Sequence, residues 1–255
     1  MRDATPSDLT ADLVTNGYAL LARGLADHEV AAVLAAWEDV CRRHPSDPAI
    51  LADADGRVTG ARNLLQMWPE VVDLAQRPGL LRVLVRLLGP TGGVVRGLFF
   101  DKPPGAGWAL PWHKDYNIAV RKHGPLGRFT KPTTKAGVPH VEAPADLLRQ
   151  MVTVRIHLDD MTDENGPLRV IPGSHESALT RDDPGRLPVV VHCRAGDVFL
   201  MRPLLTHASA HPGAETVCHR RIVHLECAPT SALPDGYEWH DFVPYRDRLC
   251  GSGGS

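Results

Sequence analysis

From Gly93 onward the chain carries short β-branched or alternating apolar runs, at about 94–101, 150–158, 167–171, 188–193, 197–202 and 216–227, separated by turns rich in Pro and Gly. Runs of this length build sheets, because side chains alternate faces along an extended chain and each run must bury one face against another layer. The first third has a different period. Between Asp27 and about Arg43, apolar residues fall at Val30, Val33, Leu34, Trp37, Val40 and Cys41, which is one face of a helix with Asp27 placed as its N-cap. Further helices are expected over Pro69 to Ala75 and Pro78 to Leu88, the second stopped by Gly89-Pro90, and Gly17 to Leu21 reads as a short strand. No linker separates the two halves. A chain of 255 residues that is 43% hydrophobic can bury one substantial core. The expectation is therefore one α+β domain over residues 1–250, with N-terminal helices buttressing a double-sheet jelly roll. The closing Gly-Ser-Gly-Gly-Ser, 251–255, reads as a flexible tail or appended linker.

The formal net charge of -2 provides no overall basic field that would argue for nucleic acid or an anionic membrane surface, so the expected partner is a small molecule. Five cysteines, at 41, 193, 218, 227 and 250, are odd in number and lack any C-x-x-C spacing. That pattern fits reduced thiols and a cytoplasmic location. The polar N-terminus has no apolar run suited to a signal peptide or a membrane span. Oligomeric state leaves no mark in the sequence.

The chemistry centres on Pro111-Trp112-His113-Lys114-Asp115-Tyr116-Asn117. His113 and Asp115 stand two residues apart, so on an extended strand both would leave one face and could grip one metal ion. Two imidazoles and one carboxylate on one face of a metal, with the other positions open, is the usual ligand set of non-haem Fe(II) oxygenases, so a second histidine is needed. Eleven of the thirteen histidines lie at or after position 113. Among them His207 stands out, because it follows the turn and apolar run Gly196 to Met201 and precedes the run Val217 to Cys227 with its paired Arg220 and Arg221.

The segments FFDKPPGAGWALPWHKDYNIAV, LDDMTDENGPLRVIPGSH, AGDVFLMRPLLTHAS and HRRIVHLECAP, in this order, resemble the phytanoyl-CoA dioxygenase family of Fe(II)/2-oxoglutarate oxygenases. The resemblance implies a cupin-like double-stranded β-helix. It also implies Fe(II) held by His113, Asp115 and His207, with 2-oxoglutarate and O2 as co-substrates and succinate and CO2 as co-products. It further implies a downstream arginine on the distal carboxylate of 2-oxoglutarate, and Ser209 as a contact to that co-substrate. A planar guanidinium suits the arginine role because it binds a carboxylate through two parallel hydrogen bonds. The choice of arginine stays open on the residues: the Arg220 face continues with Ile222, His224 and Glu226, the Arg221 face with Val223, Leu225 and Cys227. The pattern Arg-Arg-Ile-x-His is similar to taurine dioxygenase relatives, in which the second arginine anchors. Arg221 is the expectation and Arg220 the alternative.

Arg155 lies in the alternation Val154, Ile156, Leu158, so it shares a face with Thr153 and His157 and is a candidate for meeting substrate; Trp108, in a Gly/Pro-rich loop, is a second. Phe99 and Phe100 are expected in the barrel core. Residues 117–148 lack periodicity and read as a lid or substrate-binding loop. The activity expected is hydroxylation of an unactivated C–H bond of a small molecule: a secondary metabolite, an amino acid or an acyl compound. Halogenation is disfavoured because Asp115 fills the position a halide would need. Two rivals stand beside this reading, a cupin-like isomerase or hydrolase working without 2-oxoglutarate and a metal-bound binding module without catalysis.

Overall fold

The computed structural model describes residues 5–105, 107–177 and 186–246. The expected tail at 251–255, and the last residues of the expected domain, lie outside them. Among the described residues helices α1 (Pro6–Thr15), α2 (Asp27–Arg43), α3 (Leu64–Met67), α4 (Pro78–Leu88) and α5 (Ala145–Leu148) accompany fifteen strands. In the first half these are β1 (Tyr18–Leu21), β2 (Ile50–Ala52), β3 (Val58–Ala61), β4 (Gly93–Phe100), β5 (Leu110–His113), β6 (Asn117–Ala119), β7 (Thr130–Lys135) and β8 (Val138–Glu142). The second half holds β9 (Val152–His157), β10 (Leu168–Val170), β11 (Val189–Val191), β12 (Val198–Met201), β13 (His207–Ser209), β14 (Ile222–Ala228) and β15 (Val243–Pro244).

Among the described residues the strands form a large sheet, β1-β12-β9-β14-β4-β3-β2 with β15 beside β4, and a smaller one, β11-β10-β13-β5. All pairings are antiparallel. The two sheets face each other as the α+β jelly roll expected from the sequence. The pleat divides the large sheet into two kinds of surface. Val152, Val154, Ile156, Val198, Leu200, Val223, Leu225, Cys227 and Phe99 face outward into one apolar core with Val30, Val33, Trp37 and Val40 of α2 and with Leu80, Leu81 and Leu84 of α4. Phe99 thus stacks on Trp37 at 4.0 Å between ring centres and does not fill the barrel, whereas Phe100 turns inward. Between the sheets, Phe199 and Met201 meet Met161, Leu168, Val170 and Leu205.

Three local expectations change, and helix α1 is additional to those expected. Helix α1 has a clear local cause, since Thr5 Oγ1 accepts from the Asp8 N–H, the Asp8 carboxylate accepts from the Thr5 N–H, Pro6 opens the first turn, and Leu9 and Leu13 are buried one turn apart. Helix α2 starts as expected, yet Ala26 is its cap: Glu29 holds the Ala26 N–H at 2.7 Å, and Asp27 sits in the first turn, where its charge favours the helix dipole. Pro69–Leu74 is a 3-10 helix. The stretch 117–148 is no structureless lid: β6, β8 and β7 form a third small sheet, and Ile118, Val120, Phe129 and Val141 bury against Tyr237 and Trp239. Its apolar residues are too widely spaced along a polar chain to register as a period.

Candidate metal and co-substrate site

His113 ends β5 and His207 begins β13, and the two are direct cross-strand partners, so both imidazoles leave the small sheet on one face with ring centres 4.2 Å apart. Asp115 lies past the end of β5, where its N–H is held by the Pro203 carbonyl at 2.9 Å. The expected single extended strand is therefore broken between the two ligands, but the grouping survives: Asp115 stands 3.7 Å from the Nε2 of each histidine, and the three ligand atoms lie within 4.8 Å of one another. Among the described residues this is the one such His/Cys/Asp/Glu group. Each Nδ1 is paired with a backbone carbonyl, His113 with Pro111 at 2.8 Å and His207 with Leu205 at 2.9 Å. A backbone carbonyl accepts only, so Nδ1 carries the proton and Nε2 presents its lone pair inward, as a ligating imidazole requires. Burial pushes His207 down to about 4, which keeps that ring neutral. Burial alone would raise the Asp115 carboxyl, but His207, His224, His113 and Arg155 outweigh it and hold the group below the usual range, so it is ionised. Two neutral imidazoles and a carboxylate fit a divalent iron.

Beside the triad the inner face of the large sheet is cationic. Lys102 and Arg220 exchange both backbone hydrogen bonds at 3.2 Å, so their side chains leave on the same face; both are buried, at 0% and 1% exposure. Lys102 Nζ donates to Ser209 Oγ at 3.1 Å and to the Ala210 carbonyl at 2.6 Å, and the Trp108 ring covers it at 4.7 Å. Among the described residues the Arg220 guanidinium donates only to the Met161 sulfur at 3.6 Å, and its Nε has no partner. Arg155 reaches the same interior, donating to His224 Nδ1 at 3.3 Å with its own Nε unpartnered. Burial, then Arg220 and Arg155, push Lys102 down to about 6; burial, then Arg155, bring Arg220 down to about 9. No carboxylate of the described residues pairs with Lys102 or Arg220. Buried cations left this way are costly until an anion joins them.

The two arginines therefore take places opposite to the expected ones. Arg221 grips Asp159 through Nε at 2.9 Å and NH2 at 2.6 Å, beside a groove that opens outward along Asp163, Glu164 and His219. Its fork is already occupied by a carboxylate, and Arg220 is the inward one. Ser209, Arg155 and Trp108 do gather around the interior, with Trp108 lying over Lys102 and against Phe100 and not on the metal. Lys102, like Arg155, can be read from the sequence either as a solvated charge or as a site residue; its neighbour Arg220 gives it meaning. Arg155 carried the signal that places Arg220, since His224 pairs with Arg155 and Ile222 with His157 across the two strands. An inward Arg155 requires His224, and hence Arg220, to face inward as well.

A sequence model of the family "Phytanoyl-CoA dioxygenase (PhyH)" matches residues 13–222. The chain belongs to the phytanoyl-CoA dioxygenase family. L-proline trans-4-hydroxylase of Streptomyces griseoviridis is 27% identical over 236 residues, covering 85% of this chain and 78% of that protein. Ectoine dioxygenase of Bordetella parapertussis is 25% identical over 185 residues, 70% of this chain and 52% of its own length. The fold matches EctD from S. alaskensis with 2-oxoglutarate and 5-hydroxyectoine, with a TM-score of 0.67, 20% identity, and 89% and 78% of the two chains covered. It also matches SnoK, a non-haem α-ketoglutarate-dependent carbocyclase from nogalamycin biosynthesis, with a TM-score of 0.64, 20% identity and 92% of each chain covered. This phytanoyl-CoA dioxygenase family member is thus an Fe(II)/2-oxoglutarate-dependent oxygenase, and the reading without 2-oxoglutarate is not favoured. No helix of its described residues is long and apolar enough to cross a membrane.

Proposed function

We propose that this oxygenase hydroxylates an unactivated C–H bond of a small molecule, in one catalytic domain, with His113, Asp115 and His207 holding the iron and Arg220, Lys102 and Ser209 holding 2-oxoglutarate. The observation that carries the co-substrate assignment is the pair of buried cations, Lys102 and Arg220, with no carboxylate opposite them. The distal carboxylate of 2-oxoglutarate supplies that charge, and Arg220 offers it two parallel donors. Lys102 adds a point charge, and Ser209, tied to Lys102, a hydroxyl that can turn toward the same carboxylate. Iron, when bound, couples decarboxylation of 2-oxoglutarate to oxygen activation and C–H cleavage. Around it Phe100 and Trp108 screen water from the cationic end of the cavity. Arg155, Phe100 and His224 form one packed group, which fixes His224 beside Glu226.

The named relatives act on proline and ectoine, small nitrogen-containing acids, which favours the amino-acid branch of the expected substrates. A cytoplasmic location is part of the reading, supported by the free thiols of the described cysteines, Cys41, Cys193, Cys218 and Cys227. The test is succinate release from 2-oxoglutarate with and without Fe(II), across a panel of amino and imino acids. Iron-dependent succinate, stimulated by one member that gains one oxygen atom, is the expected result. Failure of 2-oxoglutarate to bind the iron-loaded protein would overturn the reading.

A further inference from the structure

A second cationic group lies at the opposite end of β4 from Lys102. Arg96, on the inward face, donates to Glu226 at 2.9 Å, and that pair is self-contained. Arg62 follows β3, whose Ala61 pairs with Phe99 on the outward, helix-covered face; the pleat therefore turns Arg62 inward, to the side of Arg96. Lys135 ends β7 at the tip of the hairpin with β8, where Ala136 and Gly137 both have positive φ, as a tight two-residue turn requires. That tip is pinned to the residue after Arg62, since Asn63 Nδ2 donates to the Ala136 carbonyl at 3.1 Å. Behind them His140 is 1% exposed, its Nδ1 paired with the Val138 carbonyl and its Nε2 without a partner.

Within the described residues neither Arg62 nor Lys135 has a carboxylate at ion-pair distance, and both are half-buried. Burial lowers both: Arg96 adds to the effect on Arg62, and Arg96 and Arg62 to that on Lys135, while Glu226 and Asp115 pull Lys135 the other way. A narrow crevice lined by Asp115, Asn117, Thr153 and Glu226 links the carboxylate that Arg96 holds to the metal ligand. Six residues of strand separate Arg96 from Lys102, about 20 Å along the chain at the usual rise. The inner side of the large sheet thus has cationic groups at both ends of β4, a first pole at Lys102 and Arg220 and a second at Arg96, Arg62 and Lys135.

Resting on the oxygenase reading, we propose that the second pole is the substrate's: the molecule oxidised is a small organic acid whose carboxylate lies between Arg62 and Lys135, with a C–H bond carried back toward the triad. Glu226 already neutralises Arg96, and iron takes up Asp115, so Arg62 and Lys135 remain, and one carboxylate with two oxygens can bridge both. A neutral molecule would leave two half-buried cations unpaired and is selected against.

The test uses the full chain with Fe(II) and 2-oxoglutarate under anaerobic conditions, then with oxygen admitted, and a panel of free amino and imino acids each matched with its carboxamide. At least one acid should raise the melting temperature and stimulate succinate release where its amide does neither. R62Q and K135Q should each weaken that acid by at least about ten-fold, the loss of one charge-assisted contact, while R62K and K135R retain part of the affinity. The proposal is overturned if the amide matches the acid, if R62Q and K135Q bind the acid as the parent does, or if no acid acts. The melting-temperature rise given by 2-oxoglutarate itself separates the two ideas. Its presence without any effect of acids sinks the second pole alone; its absence sinks the oxygenase reading.

Discussion

Strands β9 and β14 are buried along their whole length, yet their two faces are unlike. Outward go Val154, Ile156, Val223, Leu225 and Cys227, satisfied by α2 and α4 whatever the ligand state. Inward go Thr153, Arg155, His157, His224 and Glu226, among which Arg155 and His157 keep nitrogens without partners. Depth does not separate core from site here. What separates them is whether each buried group already has its counterpart within the chain. The outer face is complete. On the proposed assignments the inner face is completed by an iron and by anions, so ligands should stabilise this protein strongly.

The largest break in that contrast is at the metal. Alanine at His113, Asp115 or His207 is expected to reduce iron content and succinate release to background, read by metal analysis and by product. Next is Arg220→Ala, which should raise the KM for 2-oxoglutarate by roughly thirty-fold to several-thousand-fold, the 2–5 kcal/mol range for truncating a desolvated charge pair. Arg220→Lys should recover only part, because an ammonium lacks the planar fork. On the outer face Leu225→Ala is expected to cost about 2–5 kcal/mol of stability in a denaturant titration and to leave the KM for 2-oxoglutarate unchanged.

A smaller effect follows from Lys102. Burial, Arg220 and Arg155 hold it near 6 in the ligand-free protein. A carboxylate alongside favours the charged form, so the complex binds more protons than the free protein. Affinity for 2-oxoglutarate should therefore fall as pH rises above about 6, by at most about ten-fold per unit, and Lys102→Met should flatten the slope in calorimetric titrations. For folding the sign is also fixed: a depressed lysine opposes the folded state below its ordinary value, so its penalty shrinks as pH rises from about 6 toward 10.5. The smallest effect is Arg221→Ala. Its part-exposed bridge to Asp159 is worth about 1 kcal/mol of stability at most, with 2-oxoglutarate binding intact.

The two faces also explain what could be read without coordinates. Apolar alternation announced the strands, and β4, β9, β12 and β14 lie where their runs stand, because a permanently satisfied face is written in side chains alone. The helix Asp27–Arg43 and the stop at Gly89 were legible for the same reason. His113, Asp115 and His207 could be gathered from residue type, order and family resemblance, although the break in the chain between His113 and Asp115 could not. One strand in isolation does not tell which arginine turns inward: Val223, Leu225 and Cys227 suit a helix-covered face as readily as a barrel interior. Residues 117–148 hid a small sheet because Ile118, Val120, Phe129 and Val141 find partners far along the chain, at Tyr237 and Trp239. Arg62 and Lys135 look like ordinary surface charges until the hairpin tip is brought against Asn63.

The most direct measurement of the central claim is selectivity between a dicarboxylate and a monocarboxylate. Calorimetric titration of the iron-loaded protein, without oxygen, would compare 2-oxoglutarate with 2-oxobutyrate in the parent, R220A and R221A chains. The parent and R221A should prefer the dicarboxylate by at least about thirty-fold, and R220A should lose that preference by weakening 2-oxoglutarate alone. Retention of the preference in R220A together with its loss in R221A would contradict the account, and would mean that the cationic interior between the sheets is not where the distal carboxylate binds.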